Sequence, residues 1–300
     1  MRARLLCVLL TVAACDSKTE AQPEPTRSAT PSATAEREPE PPPGGCKASG
    51  KEPMKLGKAL GHVYGFAVDP THVYYSSWQL YGGRGDLGGA RKDGGGARNL
   101  ASLSLEPRGL VADGRNVYFT AGIRLMSLPK DGGEQKVLAP TFSSQGIAGD
   151  ASYIYGVPGD YGPYDRLIRA AKSSGTTKEL DVSERPEAKH APFGYSAIAV
   201  DASGVYVTDS SADRVLRFGL DRQKPKVLAT KQEKAYDIAI DDENVYFTLA
   251  QKGQLMKVAK TGGAPTKIGS GLAVLGPLLT LSPRCHFLQR QLFFSRHAFR

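Results

Sequence analysis

Ile238-Ala-Ile-Asp-Asp-Glu-Asn-Val-Tyr-Phe-Thr248 reads as a short apolar run, an Asp-led polar turn and a Val-Tyr strand. Four other stretches repeat it: Ala67-Val-Asp-Pro-Thr-His-Val-Tyr-Tyr-Ser76, Leu110-Val-Ala-Asp-Gly-Arg-Asn-Val-Tyr-Phe-Thr120, Ile147-Ala-Gly-Asp-Ala-Ser-Tyr-Ile-Tyr155 and Ile198-Ala-Val-Asp-Ala-Ser-Gly-Val-Tyr-Val-Thr208. The turn acids Asp69, Asp113, Asp150, Asp201 and Asp241 recur at intervals of 37 to 51 residues, the period of propeller blades. Between them stand β-branched and aromatic residues with Gly, Pro and Asp punctuation, and no long 3.6-residue stripe. A third strand follows each Val-Tyr strand, as in Ile123-Arg-Leu-Met-Ser-Leu-Pro129. A Gly turn comes next (Lys92-Asp-Gly-Gly95, Lys130-Asp-Gly-Gly133, Lys172-Ser-Ser-Gly175, Lys260-Thr-Gly-Gly263), and a polar fourth strand such as Gln135-Lys-Val-Leu-Ala139 ends the unit. Units of four antiparallel strands define an all-β chain, a β-propeller. Five blades are clear and an incomplete sixth is closed by an N-terminal strand.

Each turn Asp is expected to bond the backbone amides two residues on. Asp241-Asp-Glu-Asn244 alone has enough acids for a calcium loop, so the turn reading is preferred. The first strands (Ile198-Ala-Val200, Ile238-Ala-Ile240) are nearly continuous in small apolar residues, as expected where both faces are covered.

The domains divide as 1–14, 15–50, 51–281 and 282–300. Met1-Arg-Ala-Arg4 is basic, residues 5–14 are apolar but too short to span a bilayer as an anchor, and the run ends Leu10-Thr-Val-Ala-Ala-Cys15. These fifteen residues resemble the signal peptide and lipobox of bacterial lipoproteins. The resemblance implies lipidation of Cys15, attachment to a membrane through that anchor, and a place in the bacterial cell envelope. Residues 16–50 are rich in Pro, Glu, Thr, Ser and Ala, a composition that cannot bury enough surface to fold and reads as an extended tether. Met54-Lys-Leu-Gly-Lys-Ala-Leu60 has the fourth-strand pattern and is expected to close the last blade, which removes a sheet edge.

Tyr81-Gly-Gly-Arg-Gly-Asp-Leu-Gly-Gly89 contains a G-x-G-x-x-G match and an Arg-Gly-Asp triplet. No helix follows, so it is not a dinucleotide site; it reads as a hairpin loop. Blade three has another long loop, Gly156-Val-Pro-Gly-Asp-Tyr-Gly-Pro-Tyr164, and a longer connection, residues 181–195, leads into blade four. The sixth unit opens at Leu272-Ala-Val-Leu-Gly-Pro-Leu-Leu-Thr-Leu281, after which residues 282–300 lose the pattern. That break raises the expectation of a truncated or frame-shifted end.

Of the four cysteines, Cys7 leaves with the signal and Cys15 is taken by lipid. In an oxidising compartment Cys46 and Cys285 either form a disulfide that pins the ring or stay as two unpaired thiols. The net charge of +9 is not a nucleic-acid footprint. Two positives sit in the signal segment and four in the tail, which leaves about +3 spread over residues 15–282, with no basic cluster.

No H-E-x-x-H, G-x-S-x-G or zinc-spaced Cys pair is present, so no catalytic residue, metal site or cofactor is assigned. The connections that enter first strands and leave second strands share one face of a propeller. They carry His62, Tyr64, Trp78, Arg108, Gln145, His190, Tyr195, Tyr236 and Asp237, which are expected to ring the channel mouth. Tyr and Trp there offer contact area to a peptide, glycan or protein ligand; packing between blades is the competing reading for the tyrosines. Over residues 54–281 the Val-Asp-x-x-x-Val-Tyr repeat resembles the NHL, virginiamycin B lyase-like and TolB-like propellers. That group contains binding modules and enzymes. Two readings stand: a monomeric, membrane-tethered, non-catalytic binding or scaffold module, supported by the tether and the missing catalytic cluster, or, as the resemblance to the lyases of the group implies, a lyase or hydrolase in which His62, His190 and Asp237 match the catalytic mouth by position only.

Overall fold

The computed structural model describes residues 9–10, 54–55, 62–79, 83–142, 144, 146–157, 167–180, 195–220 and 225–270. The signal segment apart from Leu9–Leu10, the tether, Cys15, Cys46, Cys285, Gln145, His190 and residues 271–300 lie outside the described residues. Five four-stranded antiparallel sheets follow one another in sequence, each ordered first to fourth strand. Blade one is His62–Val68, His72–Gln79, Arg84–Arg91 and Arg98–Leu103. Blade two is Pro107–Ala112, Asn116–Ala121, Arg124–Pro129 and Lys136–Ala139. Blade three is Gly146–Gly149, Tyr153–Val157, Leu167–Ala171 and Thr177–Leu180; blade four is Tyr195–Asp201, Gly204–Asp209, Arg214–Phe218 and Lys226–Ala229. Blade five is Ala235–Ile240, Asn244–Leu249, Gln254–Ala259 and Thr266–Gly269. First strands of successive blades are neighbours, so they line the axis. The fold is a β-propeller. Met54–Lys55 forms a two-residue ladder with Leu9–Leu10; the sixth unit and its closure fall outside the described residues.

The core sits between blades. Because a strand's side chains alternate in direction, the Val-Tyr strand serves two seams at once. Val117 and Phe119 of blade two pack with Tyr74 and Leu87 of blade one, while Tyr118 between them packs with Ile147 and Ile154 of blade three. Tyr155 turns to blade four, and Tyr206 turns to Val245 and Phe247 of blade five. The second strand is therefore the most covered, with all six residues of Gly204–Asp209 buried. The first strands are less enclosed than their apolar sequence suggests: Pro107–Ala112 keeps four of its six residues partly exposed. An axis-lining strand has neighbours in the next blades but none across the centre, which leaves that face open.

The turn acids do more than cap. Asp113 Oδ1 accepts the amides of Arg115 and Asn116 at 2.9 Å each, and Asp69, Asp150 and Asp241 repeat this pair. The other oxygen accepts the phenol of the residue five positions on: Tyr74 at 3.0 Å, Tyr155 at 2.8 Å and Tyr246 at 2.6 Å. The lysine of the following blade's Gly turn then arrives at the same oxygen. Lys130 reaches Asp69 at 2.5 Å, Lys172 reaches Asp113 at 2.9 Å, and Lys260 pairs with Asp201. Blade four has Leu220 at this place; its carbonyl instead accepts Arg169 Nη1 from blade three at 2.8 Å.

Burial alone would raise the Asp113 carboxyl, yet the Asn116 and Arg115 amides and Lys172 bring it down to about 2. Asp69 is likewise driven well below the carboxylate range against its burial, by Lys130, the His72 and Thr71 amides and Tyr74. The phenols of Tyr74, Tyr155 and Tyr246 are pushed far up, first by burial and then by their aspartates.

The Gly-rich run of blade one is a strand rather than a hairpin loop. Arg84–Arg91 pairs residue for residue with His72–Gln79. Its glycines make room for aromatics: a Cβ on Gly88 would stand 2.1 Å from Tyr75 Cζ, and one on Gly85 would stand 2.8 Å from Trp78 Cε3. Gly88→Ala is expected to destabilise by about 2 kcal/mol through overpacking. Most of that loss is expected to vanish in a Tyr75→Ala background, a coupling that a denaturant double-mutant cycle measures.

Candidate functional site

The face opposite the Asp turns carries the connections between blades and the hairpins joining second to third strands. Here four of the five first strands are bulged. Register slips between Val63 and Gly65, Pro107 and Leu110, Tyr195 and Ala197, and Ala235 and Ile238. A bulge leaves a residue out of the ladder and re-aims its side chain. The residues so placed include Tyr64, Arg108, Ser196 and Tyr236, each five positions before the turn Asp of its blade.

The backbone at these bulges is bolted to the neighbouring blade by the hydroxyl that follows the Val-Tyr pair. Ser76 Oγ donates to Arg108 O at 3.2 Å, and Thr208 Oγ1 donates to Tyr236 O at 2.8 Å while accepting the Ala197 amide. Thr120, in the same position of blade two, has a buried hydroxyl without a hydrogen-bond partner. Gly65 is required at the crowded step after the first bulge, since a Cβ would come within 2.8 Å of Arg108 O.

Tyr64 is 39% and Tyr236 is 53% exposed, the two large aromatics most open to solvent among the described residues. Neither is sealed between blades, although the Tyr64 phenol meets Glu106 of the connection into blade two. Arg108 Nε lies 3.4 Å from Glu106 Oε1. Burial, then the Glu106 carboxylate, raises the Tyr64 phenol above its ordinary value. His62 is exposed at the head of blade one's first strand, in register with Trp78, and Trp78 is partly buried. Asp237 follows Tyr236 where other blades have Gly or Ala; its amide donates to Thr248 Oγ1 at 3.1 Å and its Oδ1 accepts the Ile238 amide at 2.9 Å. Tyr195 opens blade four's first strand opposite Asp209, and the bulge position belongs to its neighbour Ser196. Counting five residues back from each turn Asp finds Ser196, a signal present in the sequence. Gln145 and His190 lie outside the described residues.

The blade four and five sector is the most constrained. Asp209 is fully buried and accepts Arg214 Nη2 at 2.9 Å, Ser211 Oγ at 2.8 Å and the Ala212 amide at 3.1 Å. Ser196 Oγ donates to Ser210 Oγ at 2.8 Å. Asp213 receives the Gln232 amide on its carbonyl at 2.9 Å and the Lys234 amide on its carboxylate at 3.1 Å. Asp213, Lys231 and Lys234 are, among the described residues, the non-glycine ones with positive φ, at 53°, 58° and 53°. All three lie on these two connections. Among the described residues no three His, Cys, Asp or Glu side chains are grouped to hold a metal, and no helix is long and apolar enough to cross a membrane.

No known family profile and no curated protein matches the chain. Solved structures share its fold at low identity. The nidogen/laminin complex aligns with TM-score 0.56 and 17% identity over 69% of this chain and 79% of that one. Streptogramin B lyase aligns with TM-score 0.56 and 15% identity over 72% of each chain. The computationally designed Ika8 protein aligns with TM-score 0.55 and 13% identity over 76% of this chain and 69% of the design.

Proposed function

We propose that this propeller is a binding module, hung from a bacterial envelope membrane by lipid on Cys15, that takes its ligand at the bulged mouth of the first strands. The observation that carries the reading is the exposure of Tyr64 and Tyr236 at equivalent bulges, in a fold that buries most of its other aromatics. The lipobox-like Leu10–Cys15 segment and the Pro-rich stretch after it support the tether. Streptogramin B lyase, one of the similar structures, is an enzyme by name. The competing reading is therefore a mouth that performs chemistry, with His62 as the described histidine nearest the bulges.

Selection of ligands from peptide-display and glycan-array libraries tests the mouth. Tyr64→Ala, Arg108→Ala and Tyr236→Ala are each expected to weaken a selected ligand about tenfold or more, with the melting temperature nearly unchanged for the two exposed tyrosines, Tyr64 and Tyr236. Binding indifferent to all three would refute the assignment. Turnover of the selected ligand, abolished by His62→Ala, would replace binding by catalysis. Cys15→Ala is expected to release the protein from the membrane fraction.

A further inference from the structure

We infer that blade one holds a monovalent cation, of the size of sodium or potassium, between Asp86 and Ser77. The site is separate from the mouth tyrosines and does not depend on what they bind. Tyr74 and Leu87 pack against blade two. Because strand side chains alternate, Tyr75, Ser77 and Asp86 take the other side of the blade. Asp86 is only 9% exposed. Its Oδ1 accepts Asn99 Nδ2 and Ser102 Oγ, both at 3.3 Å. These are long bonds from neutral donors. Among the described residues nothing donates to its Oδ2, and no Lys, Arg or His forms an ion pair with it. A carboxylate so enclosed is costly without a counter-charge.

A second observation points into the same place. Ser77 stands opposite Asp86 in the ladder, is wholly buried, and has a hydroxyl without a hydrogen-bond partner. Directly opposed side chains on one face of a sheet start about 5 Å apart at Cβ, so the two oxygens can share one small ion. Tyr75, seated over Gly88 on the same face, walls the site; burial and then the Asp86 charge raise its phenol. Water would satisfy the hydroxyl but leave the carboxylate unbalanced. Calcium takes about six to eight oxygens, several of them from carboxylates, and only one acid stands here. A single positive charge matches it.

Blade four shows how the fold treats a carboxylate at this position. Ser77 and Asp209 each lie three residues after the tyrosine of their blade, Tyr74 and Tyr206. Each has a register partner on the third strand, Asp86 and Arg214 respectively. In blade four the guanidinium answers the carboxylate at 2.9 Å. Blade one places a hydroxyl against the carboxylate instead and is one positive charge short.

The test is to melt the full chain in sodium, potassium and choline chloride at equal ionic strength, which holds screening constant. At least one of the two metal ions is expected to raise the melting temperature over choline by about 3 °C or more at saturation. Asp86→Asn is expected to abolish that difference and to melt in choline no lower than the parent. It removes an unbalanced charge and keeps an acceptor for Asn99 and Ser102. Ser77→Ala is expected to move the midpoint of the salt titration to higher concentration. A parent that melts equally in all three salts would mean that a side chain of this chain neutralises Asp86, and would overturn the site. A difference that survives Asp86→Asn would overturn it as well. Should Asp86→Asn fail to fold, rubidium-soaked crystals of the parent decide. An anomalous peak against Asp86 and Ser77 is expected, and its absence would remove the cation.

Discussion

Gly175→Ala is expected to lower the stability of the propeller by about 4 kcal/mol, the largest loss expected from a methyl group added at any of the described glycines. Gly175 turns blade three's third strand into its fourth with φ of 72°, a conformation that costs an L-residue about 1–2 kcal/mol. The added Cβ would also stand 1.7 Å from the carbonyl oxygen of Leu138, in the outer strand of blade two. That oxygen belongs to a backbone, so a rotamer change cannot relieve the clash; the blades must separate, at an overpacking cost of about 1–3 kcal/mol. Gly132 is the control, because it has φ of 88° and a Cβ added there would meet nothing within 4 Å. Gly132→Ala should cost only the conformational share, about 1–2 kcal/mol. Equal losses from the two substitutions would mean that the Gly turn does not press on its neighbour. Urea midpoints at constant m-value make the comparison.

The same turn shows how far the sequence can be read. Five Asp-led turns and their Val-Tyr strands are legible because one residue type plays one local part, a carboxylate bonding the amide two positions on and, in all but Asp201, the amide three positions on as well. Strand alternation then assigns the Val and the Tyr to opposite seams. Lys130, Lys172 and Lys260, which head three of the Gly turns, are equally visible as letters, but the partner of each lies about sixty residues earlier in another blade. Only the ring brings them together. Glycine misled for a related reason. In blade one Gly85 and Gly88 look like loop residues by propensity, yet they exist to accept Trp78 and Tyr75 from the adjoining strand. At the mouth, Tyr64, Arg108 and Tyr236 are found by their aromatic or polar character. Ser196 has no such character and is found only by counting five residues back from Asp201, the spacing that the other bulges share.

Asp69→Ala is expected to cost about 3 kcal/mol, and the reason is the convergence of three elements on one carboxylate. Its Oδ1 holds the amides of Thr71 and His72, its Oδ2 holds the Tyr74 phenol and Lys130 of the next blade, and the two charged side chains are only 10% and 15% exposed. Removing one partner of such a pair strands the other charge in a region that water barely reaches, which costs more than the pair itself contributes. Lys130→Met should cost about 2 kcal/mol, since the amides and the phenol still serve Asp69. The double variant should recover at least about 1 kcal/mol of the summed losses. Asp150→Asn is the internal comparison: its blade is followed by Leu220, not lysine, so it should lose less than Asp69→Asn. The pH dependence follows with a definite sign. Asp69 and Asp113 have folded values below the unfolded carboxylate value of about 4, and Asp113 lies at about 2. Their contribution is complete above about pH 4 and is lost as pH falls through about 2, because protonation then favours the unfolded chain. At the other end, the raised phenols of Tyr74, Tyr155 and Tyr246 make stability fall as pH climbs past about 10, where the unfolded tyrosines ionise first. Melting curves across the acid range would show the Asp69→Asn variant with a shallower acid slope than the parent, and an unchanged slope would mean the seam carboxylates do not carry the charge of this ring.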